Sequence, residues 1–183
     1  MTIRKYEPKD NKKVTFVCLN DMFGKYEQSL IDYVEWMFCR YYIDVEPQNC
    51  FVAVDENDEP VGYCYGAADY DKYQEAFEPY IRKVESLKDR AYLSDALTEM
   101  YDHAIYKREY PAHLHIDILP AYQSKGFGSR LVAAFCDNLK EQGIDGVMLI
   151  VGSENEGARR FYERNGFVLL QEKKTGAAYG KKL

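Results

Sequence analysis

The strongest constraint on this chain lies in residues 115–131, His-Ile-Asp-Ile-Leu-Pro-Ala-Tyr-Gln-Ser-Lys-Gly-Phe-Gly-Ser-Arg-Leu. A strand pattern runs into a glycine-bearing turn there and then directly into a helix. Gly126 and Gly128 lack Cβ atoms, so the backbone can fold tightly and bring successive N–H groups towards a ligand. The helix starting at that point adds unpaired N–H groups and its positive dipole end, an arrangement suited to an anion such as a diphosphate. Leu131, Phe135 and Leu139 recur at four-residue intervals, Val132 and Cys136 flank them, and Gly143 supplies a stop. That spacing predicts an amphipathic helix over 126–142. By itself a G-x-G turn can equally be a tight connection that binds nothing. A Rossmann fingerprint would need glycine where Leu131 stands, and no G-K-[ST] follows the loop, so neither nucleotide motif is present.

Around this segment the periodicities predict one domain, 1–183, of mixed α/β (α+β) type. Residues 2–6 read as a strand, a helix opens at Pro8 with Val14, Val17 and Cys18 on one face, and a second helix covers 29–41. Strands at 50–54 and 61–67 flank a polar turn, which predicts an antiparallel hairpin. A helical, Tyr-rich insertion follows at about 70–111, with helices over 71–88, kinked or interrupted near Pro79, and 94–107. Its tyrosines (Tyr70, Tyr73, Tyr80, Tyr92, Tyr101, Tyr106, Tyr110) suit a lid, a wall against a bound molecule, a dimer surface or a plain packed subdomain. Then come strand 113–119, the helix already described, strand 147–151, helix 154–164, strand 167–173 and a short strand 177–181. Strand-helix alternation in the second half implies some parallel pairing beside the early hairpin.

Composition narrows the function classes. A formal net charge of −6 without a Lys/Arg cluster argues against nucleic acid as a partner. No run of roughly 20 apolar residues suits a membrane helix, and no signal peptide opens the chain, so a cytoplasmic protein is expected. The five cysteines (Cys18, Cys39, Cys50, Cys64, Cys136) are scattered without C-x-x-C pairs, which predicts buried free thiols and no metal. Residues 21–46 hold six acids against Lys25 and Arg40, a field that would attract a cationic amine or else form a solvated helical face.

Residues Gln123-Ser-Lys-Gly-Phe-Gly128, after Leu119-Pro-Ala-Tyr, resemble the acetyl-CoA signature of the GNAT superfamily of acetyltransferases, [RQ]-x-x-G-x-[GA]. A second stretch, from Val147 through Asn155-Glu-Gly-Ala-Arg-Arg-Phe-Tyr162 to Gly166-Phe167, is similar to the family's strand followed by N-x-x-A-x-x-F-Y-x-x-x-G-F. Within the family, residues 112–167 most resemble the acetyltransferase-like domains related to those attached to some O-GlcNAcases. The resemblance implies a mixed, mostly antiparallel sheet with helices on both faces, and transfer of acetyl from acetyl-CoA to an acceptor, a small-molecule or peptide amine. It also implies the site. CoA diphosphate would lie over the amides of Gln123, Ser124, Lys125, Gly126, Phe127, Gly128 and Ser129, and pantetheine would pair along Ile118 and Leu119. Asn155 would bond the arm near its thiol, and Tyr162 would protonate the departing thiolate.

The residues supply their own reading beside this. Ser153 and Glu156 can form a capping box that starts a helix, and Asn165-Gly166 can end it. Alternation places His113, His115 and Asp117 on one face of their strand, so His115 and Asp117 are the nearest general-base candidates, with structural hydrogen bonding the competing role. Two further readings stay open: a non-catalytic acetyl-CoA-binding or protein-interaction module, and transfer of a larger acyl group or to a hydroxyl. A homodimer is compatible with the tyrosine-rich insertion.

Overall fold

The computed structural model describes residues 2–22, 28–87, 103–173 and 176–183. Strand β1 (Thr2–Lys5) leads through a 3-10 turn into α1 (Asn11–Met22). Then follow α2 (Gln28–Val34), a π-helical turn Glu35–Cys39, α3 (Arg40–Val45), β2 (Cys50–Val54), β3 (Pro60–Ala67) and α4 (Tyr70–Ser86). The second half runs β4 (Ala112–Ile118), α5 (Phe127–Glu141), β5 (Gly146–Gly152), α6 (Glu156–Arg164), β6 (Val168–Glu172) and β7 (Gly176–Lys182).

All seven strands form one sheet in the order β1-β2-β3-β4-β5-β7-β6. Every neighbouring pair is antiparallel except β4 and β5. Those two parallel strands pair only at Ala112↔Val147 and His113↔Met148. β4 stays with β3 out to Gly62↔Ile118, and β5 stays with β7 out to Gly152↔Gly176. Each strand follows its own antiparallel partner, so the sheet splits beyond the two shared pairs and the far half of β4 faces open space.

The two faces carry separate cores. On one, Val14, Val17 and Cys18 of α1, Met37 and Cys39 of the π-turn, and Phe77 and Val84 of α4 pack on Val52, Tyr63 and Tyr65. On the other, Leu131, Phe135 and Leu139 of α5 pack on Ala53, Cys64, Leu114 and Leu149, with Tyr162 and Phe167 alongside. The four-residue spacing of α5 is thus spent on the core, each fully buried Leu or Phe contributing about 1.5–3 kcal/mol.

Several boundaries differ from expectation for physical reasons. The helix predicted over 29–41 is three pieces, because the π-turn inserts extra chain and lets both Met37 and Cys39 and the pair Tyr41 and Tyr42 reach the core. α4 is not interrupted at Pro79, which lies inside the helix on its exposed side. The helix expected over 94–107 falls mostly outside the described residues, as do Tyr92 and Tyr101; residues 105–109 form turns. In the described part of the insertion, tyrosines pack rather than project: Tyr73 lies between Tyr41, Tyr42 and Phe77, and Tyr110 covers Met148 and Ala178. The capping box expected at Ser153 is replaced by Asn155, whose Oδ1 accepts from the Ala158 N–H at 3.0 Å.

Of the acidic field of 21–46, the Asp21 and Glu27 side chains lie outside the described residues, and the described acids are engaged internally, Asp32 by Gln28. Arg40 pairs with Asp44 and Glu35. Glu46 is buried and accepts from Tyr41 Oη, Asn49 Nδ2 and the Ala68 N–H at 2.7, 2.7 and 2.9 Å, so it ties α3 to β3 rather than attracting ligand.

Three histidines are packed among these rings. Burial lowers His103 to about 3 and His115 to about 4, and holds His113 well below its usual 6.5. The unfolded chain therefore binds more protons as pH falls below 6.5, and stability present above that value is lost on descending towards the folded-state values. Urea unfolding at pH 7.5 and pH 5 is expected to give the lower midpoint at pH 5; equal midpoints would contradict neutral burial of these rings.

Candidate active site

The split between β4 and β5 opens a cleft of about 900 Å³. Its walls bring together two segments that are distant in sequence: His115, Asp117, Ile118, Gln123, Ser124, Gly126, Gly128 and Ser129 from β4 and its turn, and Asn155, Phe161 and Tyr162 from α6.

β4 presents its backbone to the cleft. The Leu119 N–H donates to Val61 O at 2.9 Å, which makes Leu119 and Val61 a hydrogen-bonded pair. Antiparallel pairs alternate, so Ile118 opposite Gly62 is a non-bonded pair whose N–H points away from β3, to the side where β5 has departed. The Ile118 N–H therefore faces the cleft. The Leu119 N–H, by contrast, is engaged by β3.

The turn is shaped for an anion. Ser124 and Gly126 have φ of 59° and 82°, and alternation of left- and right-handed residues turns consecutive N–H groups to one side. Gly126 stands at the N-cap of α5 without a side-chain cap, leaving the first-turn N–H groups to another acceptor. Gln123 Nε2 donates to Ile118 O at 2.9 Å and holds the turn against β4. Gly128 serves packing, since a Cβ there would lie 2.8 Å from the Phe161 ring. Two expected ligands turn their side chains away: Lys125 Nζ donates to Ala121 O at 2.8 Å, and Phe127 is buried in the α5 core. Only their amides face the turn. Gly126→Ala meets no atom within 4 Å and strains only the backbone. It is expected to cost about 1 kcal/mol of stability in chemical denaturation, and a loss several times larger would show that the turn is more constrained than this.

Tyr162 lies in the cleft wall with Phe161, Phe167 and Tyr179 around its ring at centroid distances of 5.3, 5.6 and 6.3 Å. Asn155 lines the cleft too, but its Oδ1 already caps α6, so its amide nitrogen is the part left for a ligand.

The base candidates separate here. His115 and Asp117 both line the cleft, whereas His113 is buried and bonded to Tyr42 Oη at 2.9 Å. His115 is walled by the rings of Phe38, Tyr42 and Tyr65, and the resulting burial keeps it neutral but weakly basic. Asp117 accepts a hydrogen bond from the Tyr63 hydroxyl directly across the β3–β4 ladder. Sequence reasoning missed Tyr63, Cys18 and Phe38, which join the cleft only through tertiary packing, and also Arg160 and Arg164 on α6. Among the described residues, no group of three His, Cys, Asp or Glu side chains is placed to hold a metal, and no helix is long and apolar enough to cross a membrane. All five cysteines are free and buried.

A seven-stranded, mostly antiparallel sheet split between its two parallel strands, with an anion-shaped turn at the split, is an acyl-CoA N-acyltransferase fold. The model of the acetyltransferase (GNAT) family matches residues 18–167, and the chain belongs to that family of acyltransferases. The crystal structure of SsHAT superposes with a TM-score of 0.86 at 27% identity, covering 99% of this chain and 97% of that one. A PaiA N-acetyltransferase from Thermoplasma acidophilum, in complex with coenzyme A, shares the fold at TM-score 0.62 and 16% identity, over 100% and 98% of the two chains. Mycothiol acetyltransferase of Mycobacteroides abscessus is 38% identical over 66 residues, which is 36% of this chain and 21% of that protein.

Proposed function

We propose that the chain works as a single transferase domain moving the acetyl group of acetyl-CoA to a primary amine by direct attack within a ternary complex. The observation that carries this reading is the split itself: one cleft brings together the anion-shaped turn, Ile118 and Tyr162. Diphosphate would rest on the 124–129 amides and the α5 N-terminus, pantetheine would run along the unpaired edge of β4, and the Asn155 amide would bond the arm. A cytoplasmic setting is part of the proposal, supported by five buried free thiols that a reducing compartment preserves.

Attack requires a neutral amine, a polarised carbonyl and a protonated leaving group. Asp117 takes the proton of the incoming ammonium, the amine nitrogen bonds to the thioester carbon, and the Ile118 N–H stabilises the oxyanion. As the C–S bond breaks, Tyr162 protonates the thiolate, and the nitrogen's second proton restores the phenol. Products are the amide, CoA and one proton, which Asp117 returns to solvent. His115 suits this base role poorly, because Phe38, Tyr42 and Tyr65 wall its ring and burial disfavours the imidazolium that would form beside an incoming cation.

The test is thiol release from acetyl-CoA against amines, amino sugars, amino acids and peptides. Tight acetyl-CoA binding with no turnover on any acceptor would favour a non-catalytic module, and absence of binding would remove the donor site. Asp117→Asn is expected to lower kcat/KM at pH 7 by about 10²-fold. The deficit should narrow as pH rises towards the pKa of the amine, where the acceptor deprotonates unaided; a deficit constant with pH would take Asp117 out of proton transfer.

A further inference from the structure

One end of the cleft differs chemically from the turn end. Cys18 of α1, Phe38 of the π-turn, Tyr63 of β3, and His115 and Asp117 of β4 meet there. The Phe38 and His115 rings meet edge to face at 6.2 Å, and Cys18 lines the same cleft. Tyr63 is in turn held by a stack of rings. It lies on Tyr65 at 4.3 Å, Tyr65 on Tyr42 at 4.9 Å, and Tyr42 on Tyr73 of α4 at 6.0 Å. The column runs from the insertion to the cleft and fixes the phenol that bonds Asp117.

Among the described residues, this end offers one carboxylate and no Lys or Arg. The cations that line the cleft, Arg160 and Arg164, sit on α6, and nearby Arg40 is engaged by Glu35 and Asp44. The walls are rings and a thiol with few free polar atoms, since the Tyr63 hydroxyl serves Asp117 and the Tyr65 hydroxyl donates to Phe38 O at 2.8 Å.

Building on the acetyl-transfer reading, we propose that this end is the acceptor subsite and that it selects a primary amine with an apolar or aromatic body and no carboxylate beside the nitrogen. Asp117, positioned by Tyr63, holds the ammonium, and the rings cover the body, where a cation gains from their faces. An α-amino acid would bring its own carboxylate towards Asp117 with no Lys or Arg among the described residues at this end to receive it, a like-charge approach. Acetylation removes the positive charge, so the neutral amide loses its hold on Asp117 and leaves. Tyr63 is a positioning residue.

Phenethylamine and phenylalanine differ by that carboxylate alone, so they make the test, with binding to the full chain read by ligand-observed NMR without donor. Acetyl-CoA binding is measured on the same samples by calorimetry. Phenethylamine is expected to bind at least about 30-fold more tightly than phenylalanine. Asp117→Asn should shrink the ratio to about threefold while acetyl-CoA affinity holds, and Tyr63→Phe should weaken the amine with its stacking retained. Equal affinity for the two ligands, no amine binding by a chain that binds acetyl-CoA, or a ratio unchanged in Asp117→Asn would overturn the subsite. Loss of acetyl-CoA binding in the parent chain would instead strike the transfer reading, while the amine ratio still decides this one.

Discussion

Tyr162→Phe is expected to lower kcat by about 10²–10³-fold, the usual contribution of a positioned general acid. The effect should fall on turnover alone. Three aromatic neighbours and the α6 backbone fix the ring, and phenylalanine keeps every one of those contacts. Acetyl-CoA affinity by calorimetry should stay within about threefold of the parent, which marks an interaction made in the transition state rather than the ground state. A thioester donor with a better leaving thiol should recover part of the loss, because it needs less protonation. Unchanged kcat would reduce Tyr162 to a core residue, and a loss shared between kcat and donor affinity would point to structural damage.

Gly66→Ala carries the largest expected effect on folding. A Cβ at Gly66 would lie 1.8 Å from the His113 carbonyl oxygen and 2.8 Å from the Phe135 ring. The first of these is backbone of the neighbouring strand and cannot swing aside. Relief requires β3 and β4 to part beside the shared β4–β5 pairs, where the whole sheet is held together. A loss of about 3 kcal/mol or more is expected in guanidinium unfolding. Gly126→Ala, with open space at its Cβ, is the comparison: a similar loss in both variants would show that glycine content, not the close approach of two strands, sets the cost.

The elements nearest the site were readable because their signals are local. Hydrophobic spacing marked α5, the G-x-G turn marked its start, and Asn165-Gly166 marked the end of α6, where Gly166 has φ of 83°. The hairpin of β2 and β3 followed from two apolar runs about a polar turn. Less local features went unread. The cap of α6 fell to Asn155 rather than Ser153, since both residue types accept from N–H groups and only the path out of β5 selects between them. The π-turn at residues 35–39 carries no distinctive spacing, because an inserted residue looks like an ordinary irregularity in a helical pattern.

The sequence by itself determined the half of the cleft built from the glycine turn and α6. A strand, a glycine turn, a helix, and a second strand and helix ending in Phe161-Tyr162 specify backbone geometry within short stretches of chain, and the functional groups there are largely backbone amides. Tertiary structure alone decided the other end of the cleft, around Tyr63 and Asp117. That β4 and β5 pair at two positions and then part, that Tyr63 stands across from Asp117, and that α1 and the π-turn bring Cys18 and Phe38 over them are outcomes of packing between segments up to about a hundred residues apart. Such contacts leave no local periodicity, because they depend on which faces meet when the two cores close on the sheet.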